Sequence, residues 1–411
     1  MVKKQMKYLL LFVLFVGISC SDKKLEAKVD DPKEDMKSYP GLSVSSTGTL
    51  LLNGKNFRGI GVNYFNAFIR TLEPGSQNDQ SYIQGLDYLK ERKIPFIRFA
   101  INGYWPKNWD LYRNNKEAYF KSLDAFIKAA EDRGIGLIPS FFWHTPTVPD
   151  LVGEPVNQWG NAKSKTHVFM NNFIEEVVKR YRNSPAIWGW EQGNEVNLLV
   201  DLPGDDSNLP PVVPSLGTPN SRSKSDKLSS NDLLVMMKAF GNTIRKLDAS
   251  RIIISGNAIA RPSAYHLHKH KNWTKDSKSE FKEIFALQNP DPINVLSSHL
   301  YKASSTEGYF ADEIMDIDGL VGSSMELALA LKKPLFLGEW GAQQAKYGED
   351  TRAVFMEILK AVEDHQVPIS AMWVFDYPPH DTEEGINVSP NNGPREYMLQ
   401  EIMKVNSRMN P

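Results

Sequence analysis

Residues 131–140 read EDRGIGLIPS. Upstream, apolar residues across Tyr119–Arg133 recur at spacings of three and four, which predicts a helix. Gly134 is placed to end that helix, and the apolar run after it opens a strand at once. A helix that feeds straight into a short apolar strand is one unit of a β/α alternation, and the alternation recurs along the chain. Strands are expected at Phe57–Asn63, Ile94–Ile101, Gly136–Trp143, Ala186–Asn194, Arg251–Gly256, Asn294–Tyr301, Pro334–Trp340 and Ile369–Phe375. Helices are expected at His167–Tyr181, Asp232–Leu247, Met325–Leu331 and Thr351–His365 as well. Strands joined by helical crossovers in this number predict a single (β/α)₈ barrel. A doubly wound open sheet would alternate in the same way, but no Gly-rich phosphate loop follows the first strand.

Ahead of the first barrel strand, TGTLLLNGKNF (47–57) places Asn53–Gly54 between two extended runs, a short N-terminal hairpin. After the fourth strand, residues 200–229 form a long insertion rich in Pro, Ser and Asp. In a barrel that loop lies on the face where chemistry is done.

The extreme N-terminus has another character. Lys3, Lys4 and Lys7 precede YLLLFVLFVGI, an apolar run of signal-peptide length, and Cys20 follows it as the only cysteine in 411 residues. A lone cysteine has no internal disulfide partner. The arrangement resembles a bacterial lipoprotein signal, with Gly17 where leucine is usual, and that resemblance implies lipidation of Cys20 after cleavage. Residues 1–20 are then a leader and residues 21–41, charged and nearly free of aromatics, a flexible tether. Residues 42–411 hold the barrel. The expectation is an exported protein, held to a membrane, an outer membrane in particular, only through an N-terminal lipid.

Net charge is −1, which leaves no footprint for nucleic acid. Hydrophobic residues make up 41% of the chain and aromatics 11%, enough for a large core. The nine tryptophans and fifteen tyrosines suit a carbohydrate cleft, although buried aromatics are also ordinary core material.

In a barrel, function gathers at the C-terminal ends of the strands. Those positions hold Asn63, Arg98, His144, Asn194 with Glu195, His299 with Tyr301, Glu339 and Trp373. The fourth strand reads GWEQGNEVN (189–197) and contains two glutamates. Four residues of strand separate them by about 13 Å, so only Glu195 reaches the mouth. Glu191 lies among packed side chains and needs buried donors to stay there. A further carboxylate, Glu339, ends the apolar strand PLFLGEWG (334–341). Two glutamates across a barrel mouth are what glycoside hydrolysis requires: one protonates the leaving oxygen, and the other attacks the anomeric carbon or activates water.

The motifs together resemble family 5 glycoside hydrolases of the clan A barrels over roughly residues 45–405. The family pattern W-E-x-x-N-E is matched by Trp190, Glu191, Asn194 and Glu195, with Val196 where proline is common. Arg98 in IPFIRFA, His144, the H-x-Y of His299 and Tyr301, Glu339 in GEWG and Trp373 in AMWVF fall on the matching strands in order. The resemblance implies a retaining double displacement with Glu195 as acid/base and Glu339 as nucleophile, without cofactor or metal. It also implies that Arg98 and Tyr301 donate to Glu339, that Asn194 binds the sugar 2-hydroxyl, that Trp373 floors the site, and that His144 and His299 line it. The substrate implied is a β-linked glycan, with a β-1,4 mannan or glucan backbone favoured, because LLNGKNFRGIGVN (51–63) resembles the mannan-active branch. The protein is expected to act as a monomer. A glycan-binding lipoprotein without catalysis, and a transglycosylase, are the alternatives.

Plainer roles also fit some residues. Arg98 could simply pair with Glu191. Trp143, Trp188, Trp190 and Trp340 read as core, while Trp105, Trp109 and Trp159 lie in loop-like stretches. His266, His268 and His270 would face one way in an extended segment, as metal ligands do, but no local carboxylate or cysteine completes the set, so a solvated loop is the reading. The insertion is read as shaping the cleft, with disorder as the alternative.

Overall fold

A computed structural model of the chain describes residues 40–409 except 74, 205–207, 304, 305, 307, 391 and 392. The expected leader with Cys20, and the tether up to residue 39, lie outside the described residues. Among the described residues no helix is long and apolar enough to cross a membrane.

Three short strands come first: β1 (Leu42–Val44), β2 (Leu50–Leu52) and β3 (Lys55–Asn56), joined as an antiparallel sheet. The turn between β2 and β3 is the expected Asn53–Gly54, both with positive φ, as a tight hairpin demands. β1 adds a strand that the sequence pattern does not announce. It docks through a hydrogen bond from Leu42 N to Trp188 O at 2.9 Å.

The barrel follows, with β4 (Gly59–Asn63), β5 (Phe96–Ala100), β6 (Gly136–Phe142), β7 (Gly189–Gly193), β8 (Ile252–Ile254), β9 (Leu296–Leu300), β10 (Leu335–Trp340) and β11 (Ile369–Met372). They form one sheet in the order β8-β7-β6-β5-β4-β11-β10-β9, and every pairing is parallel. The two ends are tied by Asn294, whose N donates to Ile253 O at 3.2 Å and whose Oδ1 accepts from Ile253 N at 2.7 Å. The sheet therefore closes as a (β/α)₈ barrel. Each expected strand is present, trimmed by one to three residues at its ends.

The helices form for local reasons. Asn115 caps Lys116–Glu131 by accepting from Ala118 N, and Tyr119, Leu123, Phe126 and Ala130 make its buried stripe. Gly134, at φ +66°, turns the chain into β6. Ser229 and Asp232 form a reciprocal capping box at the start of Ser230–Leu247. The helix read at Met325–Leu331 begins earlier, at Ile317, capped by Asp316.

Most apolar side chains pack between barrel and helices. Inside the barrel, β5 alternates Phe96, Arg98 and Ala100 inward with Ile97 and Phe99 outward. Phe96, Ile138, Ile252, Phe336 and Ile369 fill the bottom layer, which Leu42 and Leu50 of the N-terminal sheet cover. Phe65, Trp143 and Trp373 cluster at the top. Between the two apolar layers lies a polar one, and the candidate site is built on it.

Candidate active site

Arg98 is the centre of the polar layer and is fully buried. Its Nε donates to Glu191 Oε1 and Oε2 at 2.8 and 2.9 Å, and its Nη1 to Glu339 Oε1 at 2.9 Å and Asn63 Oδ1 at 3.0 Å. Its Nη2 donates to Asn194 Oδ1 at 2.8 Å. The guanidinium also sits 4.4 Å from the Trp143 ring centre, a cation–π contact. Burial pushes the Glu191 carboxyl up, and the Arg98 charge pulls it back. Pairing with Glu191 does not keep Arg98 from Glu339, because a single guanidinium fork serves both buried acids.

Glu339 is aimed by a register break. Against β9, Leu337 pairs with Ser298 and Glu339 with His299, so Gly338 is an extra residue in β10. Its carbonyl accepts from Asn63 Nδ2 at 2.8 Å. Only glycine fits: a Cβ there would lie 2.8 Å from His299 Nε2. The bulge delivers the Glu339 carboxylate to Arg98 on one oxygen and to Tyr301 OH, at 3.1 Å, on the other. Burial holds the Tyr301 hydroxyl well above its ordinary range, so it remains a donor.

Glu195 reaches the mouth by a backbone turn. It has φ +52°, in the left-handed region, and its N donates to Gly256 O at 2.8 Å. Gly256 must itself be glycine, since a Cβ would stand 1.8 Å from Gly193 O. The Glu195 side chain is one-third exposed, and His299 Nδ1 lies 3.1 Å from its Oε1. Burial raises the Glu195 carboxyl, with Arg98 opposing. Burial also lowers His299 to about 3, so the ring is neutral at working pH. With its proton on Nδ1, it donates to Glu195.

One carboxylate oxygen of Glu195, one of Glu339 and a ring nitrogen of His299 all lie within 4.8 Å of one another. Such a trio can ligate a cation, but the Arg98 guanidinium already supplies positive charge at Glu339. What the arrangement offers is two carboxyl groups in different settings, Glu339 accepting from Arg98 and Tyr301 and Glu195 raised by burial at the mouth.

Trp373 closes one side of this centre. Its Nε1 donates to His380 Nδ1 at 3.2 Å, and its ring stacks on Trp143 at 6.0 Å. His144 lies farther out, stacked on Tyr104 at 3.9 Å and bonded to neither glutamate. Burial lowers it to about 4. Beside Glu195 a cavity of about 560 Å³ opens, walled by Trp143, His144, Trp273 and residues of the insertion.

The Cellulase family, glycosyl hydrolase family 5, matches this chain over residues 52–375. The chain belongs to that family. Mannan endo-1,4-beta-mannosidase F of Aspergillus clavatus is 37% identical over 79 residues, 18% of each chain. The probable mannan endo-1,4-beta-mannosidase F of Aspergillus oryzae is 38% identical over 81 residues, 18% of this chain and 17% of that one. This chain therefore spans less than a fifth of the curated relatives it matches. Solved structures share the fold over far more of the length. The endo-1,4-beta-mannanase of Rhizomucor miehei superposes with a TM-score of 0.62 at 15% identity, covering 90% of this chain and 99% of that one. The hyperthermostable endo-1,4-beta-D-mannanase of Thermotoga petrophila gives 0.61 at 15% identity, covering 85% and 100%.

In this family 5 barrel most predicted site residues converge as read: Arg98, Asn194, Glu195, His299, Tyr301 and Glu339 form one connected set, with Trp373 beside it. Several tryptophans are structural. Trp109 and Trp159 are buried, donating to Gly103 O and Thr145 O, and Trp190 donates to Asp248. Trp143 is the exception to its core reading, since it faces the cleft. Asn63 joins the site through Arg98 Nη1 and braces the bulge through Gly338 O. Tyr104 and Trp273 carried no strand-end signal, because each lies in a loop. The three histidines lie on a helix, Ala264–His270, rather than in an extended run. His266 and His270 therefore share a face, and His268 turns to Asp201 at 3.3 Å. His266, Asp276 and Glu280 come within ligating distance of one another; Asp276 Oδ1 lies 2.8 Å from His266 Nδ1, and both carboxylates also cap, Asp276 accepting from Tyr265 N and His266 N and Glu280 from Ser277 N.

Proposed function

We propose that this family 5 chain hydrolyses a β-linked glycan with retention of configuration, Glu195 acting as acid/base and Glu339 as nucleophile. The observation that supports the reading is that one carboxylate oxygen of Glu195 and one of Glu339 approach within 4.8 Å, closer than a pair spread to admit a water between its groups. Inverting enzymes hold the pair about 6.5–9.5 Å apart to admit a water, and retaining ones about 5–5.5 Å.

In the first step Glu339 attacks the anomeric carbon while Glu195 gives its proton to the departing oxygen. The glycosyl–Glu339 ester is then opened by water, which loses its proton to Glu195. Arg98 and Tyr301 donate to Glu339 and hold its side chain in place for attack. Asn194, whose Oδ1 is held by Arg98, turns its amide Nδ2 toward a sugar hydroxyl. Trp373 supplies the floor, and His144 and His299 the polar lining. No step calls for a cofactor.

The backbone we favour is β-1,4-mannan, with β-1,4-glucan second. The short stretches shared with mannosidase F proteins support that order. The N-terminal pattern further supports export and attachment through a lipid on Cys20, with the barrel monomeric beyond the tether. Proton NMR during hydrolysis of mannan, galactomannan, cellulose and mixed-linkage glucan tests the reading. The β-anomer should appear first, on mannan fastest. Early α-anomer would overturn retention. Binding without release of reducing sugar would favour a capture protein, and products longer than the substrate a transglycosylase.

A further inference from the structure

The cavity beside Glu195 is where the departing half of the substrate must sit, because the acid protonates the oxygen that leaves. This inference therefore rests on the assignment of Glu195 above. The insertion supplies much of its wall. Arg222 of the insertion forms a buried ion pair with Asp150, at 2.6 and 2.8 Å, and Asp201 accepts from Ser230 N and Lys271 Nζ. The wall is fastened down rather than loose.

One part of its lining is apolar. Leu199, Leu202, Leu209, Pro210, Pro211 and Trp273 line it, with Leu199 42% and Trp273 52% exposed. The leucine and proline side chains among these cannot bond to hydroxyls, and leaving them in water has a cost. Several of the polar residues on the same wall are already engaged. Asp226 accepts from Ser223 N and Val156 N, Lys227 donates to the carbonyls of Leu202 and Gly204, and Arg261 donates to Leu198 O.

We propose that this cavity selects substrates whose leaving group presents apolar surface, either as an alkyl or aryl aglycone or as O-acyl groups on the departing sugars. Turnover brings that surface out of water while it is held beside the acid. The proton path is unchanged: the glycosidic bond breaks, and Glu195 protonates the apolar alcohol or acylated sugar that departs.

Matched substrates test this. Methyl and octyl β-glycosides of one disaccharide have leaving alcohols of similar basicity, so their kcat/KM ratio reads the cavity rather than the chemistry. Below the micellar concentration, the octyl compound should be cleaved at least tenfold more efficiently, which burial of about two methylenes would supply. An acetylated polysaccharide and its deacetylated form make the second pair, and a preference there assigns the acyl source. Leu199→Asp with Leu209→Asp should collapse either preference below twofold, while circular dichroism reports the fold intact. Equal efficiency within both pairs, by an enzyme active on them, would overturn the proposal and leave the retaining mechanism standing. If no β-glycoside is cleaved at all, the reading of Glu195 fails and this inference falls with it.

Discussion

Arg98 Nε lies within 2.9 Å of both carboxylate oxygens of Glu191, and neither side chain has any solvent exposure. The pair anchors the guanidinium so that its other nitrogens face Glu339 and Asn194. Removing Glu191 from the pair leaves the buried guanidinium, among the described residues, with Glu339 as its one remaining carboxylate partner. Glu191→Gln should lower unfolding free energy by about 3 kcal/mol, seen as an earlier urea midpoint. Glu195→Gln, in a partly exposed side chain, should leave that midpoint nearly unchanged. Equal midpoints for Glu191→Gln and wild type would contradict the anchoring role.

Glu195→Gln removes the proton donor and keeps the shape. Turnover of poor leaving groups should fall about 10²–10⁴-fold, and an activated aryl glycoside should lose less in its first step. Azide should restore turnover of the aryl substrate, since a small anion needs no general base to open the glycosyl-enzyme. Absence of azide rescue would argue against the assignment.

The direction of the Glu195 shift fixes a pH limb. A raised carboxyl keeps its proton to higher pH, so the alkaline limb of kcat/KM should report loss of acid Glu195. In the azide-rescued Glu195→Gln enzyme that limb should vanish. Its persistence would assign the limb to another group.

His299 gives a stability prediction of opposite sense. Its folded value is about 3 against an ordinary 6.5. Between those limits the unfolded chain binds a proton that the folded protein refuses, so stability is complete above pH 6.5 and falls as pH drops toward 3. The slope from this ring is at most about 1.4 kcal/mol per pH unit. His299→Gln should flatten the acid side of the stability profile measured by urea unfolding. An unchanged slope would refute the assignment.

Much of this was legible in the sequence because barrel strands are apolar runs that end in polar residues. Glu195, Glu339 and Arg98 stood out for that reason, and the four-residue spacing separated Glu191 from Glu195 correctly. Other features lie below what a pattern can carry. The bulge at Gly338 is a property of pairing between β9 and β10, and a glycine before a glutamate does not announce it. The left-handed turn at Glu195 is imposed by the bond to Gly256, 61 residues away in the chain. Trp143 sits at the edge of an apolar strand, where register alone decides between core and cleft. The insertion has no hydrophobic period, and contacts of its described residues, such as the Arg222–Asp150 ion pair, are made only by the fold.

The most direct test is to trap the intermediate. A 2-deoxy-2-fluoro β-glycoside of the preferred sugar, carrying a fast leaving group, should label the enzyme once, and peptide mass spectrometry should place the sugar on Glu339. A label on Glu195, or an active enzyme that no such reagent labels, would contradict the double displacement.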